Sequence, residues 1–104
     1  MILHLIHKST GKSSALDACL VILEASGNPA ALMLIEDAVY AAANIPANAA
    51  IQSRIMNLQL PCFVLKEDLQ ARGLLDNVAQ FFKPVDYHGF VGLTLEYDKV
   101  QSWI

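Results

Sequence analysis

Charge is scarce in this sequence: Asp, Glu, Lys and Arg make up 16% of the 104 residues, against about 25% in an ordinary soluble domain. Long apolar runs are missing too. A membrane-spanning helix needs about 20 consecutive apolar residues. Here Ala30–Ile35 stops at Glu36 and Asp37, and the stretch from Ala15 to Ala25 is broken by Asp17 and Glu24. No basic region precedes an apolar one at the start, where His4, His7 and Lys8 come too early for a signal peptide. These absences argue against a membrane helix and lead to the expectation of a cytoplasmic protein.

Basic clusters are absent as well. The net charge is −3, and Lys8, Lys12, Arg54, Lys66, Arg72, Lys83 and Lys99 are scattered. Nucleic-acid binding needs clustered Lys and Arg that displace counterions, so direct contact with RNA or DNA is not expected. The chain has two cysteines, Cys19 and Cys62. No structural disulfide is expected between them in a reducing compartment, and no second Cys or His pair makes a zinc site. Gly11-Lys12-Ser13 ends like a phosphate-binding loop, but its first glycine would fall at position 6, which is Ile6. A G-x-S-x-G elbow for Ser-His-Asp hydrolysis is also lacking. No cofactor and no metal is expected.

What remains is apolar. Hydrophobic residues form 55% of the chain and the mean hydropathy is +0.40. With a membrane helix set aside, surplus apolar surface on a single domain spanning 1–104 points to an interface with other chains.

Continuous apolar runs at Ile2–Ile6, Ala30–Ile35 and Leu60–Leu65 read as strands covered on both faces. Phe81–Val85 reads as a weak fourth strand because of Pro84, and Val100–Trp103 as a terminal edge strand. Between them, Ser14 and Asp17 make an S-x-x-D helix start. The helix that follows carries Leu16, Cys19, Leu20 and Leu23 on one face, and Gly27 and Pro29 end it. Ala38–Ala43 is expected to form one or two helical turns, Ala49–Asn57 a helix, and Glu67–Arg72 a short helix closed by Gly73. Asp86 is expected to cap a last helix with Tyr87, Phe90, Val91 and Thr94 on one face. Strands alternating with helices predict a three-layer α/β fold: a mainly parallel central sheet of four to five strands with helices on both faces.

In such a sheet ligands bind beyond the carboxyl ends of the strands. Those ends carry His7-Lys8-Ser9, Glu36-Asp37 and Lys66-Glu67-Asp68. His7, Glu36 and Asp37 are thus candidates for a small-molecule site, although loops at strand ends are polar in any α/β domain. His4, inside an apolar strand, reads as a hydrogen-bonded core histidine, and His88 as solvated. Cys19 lies beyond the first turn of its helix, where the dipole acts most strongly, and it shares the stripe of Leu16 and Leu23. A cysteine so placed behaves as a small hydrophobe; as a sulfur carrier it would need access and a thiolate. Cys62 lies within a strand and reads as inert.

Four blocks in order carry a family resemblance. They are Leu3-His4 with His7-Lys8-Ser9, Glu36-Asp37-Ala38-Val39-Tyr40-Ala41-Ala42, Leu65 to Leu74, and Val85 to Thr94 with Gln101-Ser102-Trp103. Together these resemble the DsrH/TusB family over essentially the whole chain. Ser9-Thr10 stands where the family usually has Ser-Pro, and Ala38 where it has glycine. The resemblance implies a subunit of a heterohexamer, with two copies each of three related α/β chains, the others being DsrE/TusD-like and DsrF/TusC-like. Such a complex accepts persulfide sulfur and passes it to a DsrC/TusE-like acceptor. One branch serves 2-thiouridine formation at the tRNA wobble position and the other dissimilatory sulfur oxidation. The principal sulfur-carrying cysteine is implied to lie on a sister chain. Cys19 matches a first-helix cysteine of some members and is the possible carrier here; the alternative is a purely structural subunit with Cys19 in the core.

Overall fold

The computed structural model describes residues 1–8 and 15–103. Ser14, with its helix-start motif, and Gly11-Lys12-Ser13 lie outside the described residues. Five strands form one sheet: β1 (Ile2–Ile6), β2 (Ala30–Leu34), β3 (Cys62–Leu65), β4 (Lys83–Val85) and β5 (Lys99–Trp103). Their order is β4-β3-β2-β1-β5 and every pairing is parallel, as the apolar runs predict. Among the described residues four α-helices accompany them: α1 (Ala15–Ser26), α2 (Ala49–Asn57), α3 (Lys66–Ala71) and α4 (Tyr87–Glu96).

Side chains alternate across the sheet with the two-residue period of a strand. On one face Ile6, Leu32, Leu34, Cys62 and Val64 meet Leu16, Cys19, Leu20 and Leu23 of α1 and Ile55 of α2. Arg54 of α2 ties the two helices together by pairing with Asp17 and Glu24 of α1. On the other face Leu3, Leu5, Ala31, Met33 and Ile35 are covered by Phe90 and Leu93 of α4 and by Tyr97. Asp86 caps α4 as expected, its Oδ1 accepting from the Gly89 N–H at 2.7 Å.

The packed face of α4 differs from the expected one. Phe90 and Leu93 turn inward, whereas Tyr87, Val91 and Leu95 lie at i, i+4 and i+8 on the solvent side. Both faces of this helix are apolar, so periodicity did not discriminate between them.

Glu36–Ala42 forms a 3-10 helix of seven residues, longer than the few residues usual for that geometry. Two amide side chains from downstream hold its carbonyls. Asn48 Nδ2 donates to Tyr40 O (2.8 Å) and Ala43 O (3.0 Å). Gln52 Nε2 donates to Ala41 O and Ala43 O, both at 2.9 Å, and is itself buried. Gln52→Leu should take this donor from Ala41 O, while Ala43 O keeps Asn48 Nδ2 and the Ile45 N–H, at a cost of about 1–3 kcal/mol. Urea denaturation measures this, and a loss no larger than that of an exposed substitution would refute it.

Candidate functional site

The carboxyl ends of the strands gather a polar rim. His7 directly follows β1, Glu36 follows β2 by two residues and opens the 3-10 helix, and His7 Nδ1 stands 3.6 Å from Glu36 Oε2. The separation exceeds a hydrogen bond, so the contact is electrostatic when the imidazole is protonated. The other ring nitrogen, Nε2, is buried and has no hydrogen-bond partner among the described residues. Glu36 adopts a left-handed backbone with φ of 51°, a conformation that costs a non-glycine residue about 1–2 kcal/mol. Its backbone N–H donates to Asp68 Oδ2 at 2.6 Å, holding the turn from α3. Strain of this kind, fixed by a neighbouring element, marks functional positions more often than others.

Asp37 faces elsewhere. Arg72, from the turn that closes α3, takes its carboxylate through Nη2 (2.8 Å) and Nε (3.2 Å), and Arg72 Nη1 also lies 3.7 Å from Asp68 Oδ1. The guanidinium stands 5.8 Å from the centre of the Tyr40 ring, within cation–π range. Glu67 accepts from the Tyr87 N–H at 3.0 Å, tying α3 to α4. The structure therefore brings His7 and Glu36 together and diverts Asp37 into a separate pair. The Asp68–Arg72 organiser was missed in the sequence. Its signal was an acid and a base at i and i+4 in a block rich in charge.

The thiols are not part of the rim. Cys19 is fully enclosed among Leu16, Leu20 and Leu23 on the sheet side of α1. Cys62 opens β3 at the opposite end of the strands, and its Sγ–H donates to Leu60 O at 3.4 Å. Burial pushes each thiol up to about 12, because a thiolate in an apolar core loses its hydration. His4 is a core histidine as expected: it is 5% exposed, and its Nδ1 accepts from Trp103 Nε1 at 3.0 Å. Burial pulls its pKa below 6.5.

The described rim thus presents polar side chains, His7 and Glu36 among them, and it holds no thiol. The broad surface cavities of about 540 and 420 Å³ lie elsewhere, beside Met56 and Phe81 and beside Pro29 and Pro61. Among the described residues no three His, Cys, Asp or Glu side chains converge to hold a metal ion, and no helix is long and apolar enough to cross a membrane.

Comparison with known proteins places this architecture. The fold is shared with the ychN protein of E. coli, at a TM-score of 0.76 and 18% identity over 97% of each chain. It is also shared with a conserved protein of unknown function from Bacteroides thetaiotaomicron, at 0.74 and 11% identity over 97% of this chain and 93% of that one. By sequence, the chain is 33% identical over 101 residues to proteins named Protein TusB from Shigella dysenteriae and Escherichia coli, covering 97% of this chain and 99% of theirs. The family model described as DsrH like protein matches residues 8–100. With sequence kinship over nearly its whole length and the expected parallel sheet, this chain belongs to the DsrH-like protein family.

Proposed function

We propose that the chain is a non-autonomous subunit of a cytoplasmic sulfur-relay complex serving 2-thiouridine formation at the tRNA wobble position. In this reading it assembles with DsrE/TusD-like and DsrF/TusC-like chains and helps deliver sulfur to a DsrC/TusE-like acceptor. The observation that carries the reading is the end-to-end match to proteins named TusB. The enclosure of both thiols supports its division of labour. Persulfide transfer needs a thiolate that attacks the outer sulfur of a donor persulfide; the S–S bond breaks and the donor leaves as a thiolate. A subunit whose own thiols are buried and neutral contributes to this by assembly, and the transferable sulfur resides on a partner chain. Cys19 then fills the core.

Native mass spectrometry of the chain purified gently from its own cells, without reductant, tests this. Two related chains of similar size should co-purify, with extra sulfur on one of them. A chain that arrives without such partners and without added sulfur overturns the relay. Extra sulfur found on Cys19 would instead restore it as the carrier.

A further inference from the structure

The sheet has two unlike edges. β4 is three residues long, carries an exposed Lys83, and includes Pro84, which has no N–H to offer. Short length, lysine and proline are the devices that stop edges from pairing. β5 has none of these protections beyond Lys99 at its start. It is five residues long, and Val100, Gln101 and Ser102 are exposed and uncharged.

Pairing with β1 uses only alternate residues of β5. Trp103 O accepts from the His7 N–H at 3.5 Å, so Lys99, Gln101 and Trp103 direct their main-chain groups toward β1. The N–H and C=O groups of Val100 and Ser102 consequently point to the open edge. The strand is also held in place: Trp103 is anchored on His4, and the amino terminus pairs with Asp98 at 3.1 Å. A fixed strand loses little freedom when it pairs.

We propose that β5 pairs antiparallel with β5 of a second copy of this chain, across a two-fold axis at Gln101, to make one continuous sheet. The register is self-complementary. Val100 meets Ser102 of the other copy, and these are the residues whose main-chain groups face outward. Lys99 meets Trp103 on the α1 side, bringing an ammonium beside an indole. Gln101 meets its own equivalent, amide to amide, and no like charges are opposed. Ile22 of α1, half-exposed beside Gln101 and Trp103, adds an apolar flank to the seam. A two-fold closes after two copies and leaves only the blunted β4 edges free.

Intact mass and sedimentation of the full chain test this. Gln101→Cys places two thiols in a non-hydrogen-bonded pair, about 4.5 Å apart at Cα, while the native cysteines are enclosed. Mild oxidation should convert it largely to a covalent dimer and leave a Tyr40→Cys control, exposed on the 3-10 helix, mostly monomeric. Ser102→Pro removes the outward N–H without touching the bonds to β1, and should weaken dimerisation at least about tenfold. A wild-type chain that stays monomeric at high micromolar concentration overturns the pairing. So does a Gln101→Cys chain that cross-links no faster than the control. The pairing needs no sulfur chemistry, so its failure and that of the relay are seen in different readouts.

Discussion

Trp103→Ala should destabilise the chain by about 2–3 kcal/mol, below the range for truncating a fully enclosed aromatic, because the indole is only partly buried. Two losses combine. The indole packs against the core on the α1 face, so its removal leaves a cavity beside β5. Its Nε1–H is also the hydrogen-bond donor to His4 Nδ1, and His4 lies almost fully inside the protein. Trp103→Phe separates the two, keeping most of the volume and losing the bond, at about 1–3 kcal/mol. Urea unfolding followed by circular dichroism reads both; equal losses would mean that the packing contributes nothing, and a Phe variant as stable as the native chain that the hydrogen bond contributes nothing. The same residue pair sets a pH dependence. Burial holds the folded His4 pKa below the usual 6.5, so the unfolded chain binds this proton more readily than the folded one. The His4 contribution is therefore complete above about pH 6.5 and is lost as pH falls through the folded value. His4→Gln should flatten the stability profile in that window; an unchanged slope would assign it to other groups.

Thiol chemistry offers the second large effect. At neutral pH a thiol-reactive disulfide should modify neither cysteine of the folded isolated chain on a timescale of minutes, and both after denaturation. A rise from 9.0 to about 12 lowers the thiolate fraction about a thousandfold, and enclosure slows access further. A relay complex assembled with Cys19→Ala should accordingly keep its sulfur transfer, since alanine preserves the apolar stripe of α1. Cys19→Ser is the less clean variant, because it puts a hydroxyl into that stripe at about 1–3 kcal/mol unless it finds a partner. Reaction of folded Cys19 at the rate of an exposed thiol, or loss of transfer in the alanine variant, would make Cys19 the carrier after all.

Local chemistry determined what could be read from the chain alone. The stripe Leu16, Cys19, Leu20 and Leu23 is the buried face of α1 as the helical period requires, and the apolar runs became parallel strands. Asp86 was legible because capping is a contact between near neighbours in sequence. Other features depend on distant partners. Glu36–Ala42 owes its carbonyl satisfaction to Asn48 and Gln52, whose roles no local pattern announces. The α4 face was misassigned because Tyr87, Val91 and Leu95 make a second apolar stripe beside that of Phe90 and Leu93, and His88, Thr94 and Glu96 are too few to tell the two apart. At the rim, topology brought the ends of β1 and β2 side by side and so joined His7 to Glu36. Asp37, adjacent in sequence, went to Arg72, a competition decided by three-dimensional reach.

The pairing of β1 with β5 has a consequence for how the chain is made. Within this sheet β1 is synthesised before the other strands and β5 after them, so a ribosome-bound chain has β1 waiting with one side open until residues up to Trp103 have emerged. Contacts this distant in sequence slow folding, because a long loop must close before they form. Trp103, the lone tryptophan, sits on that final strand against His4. Its fluorescence therefore reports completion of the sheet, after β1 to β3 and their covering helices have had time to assemble.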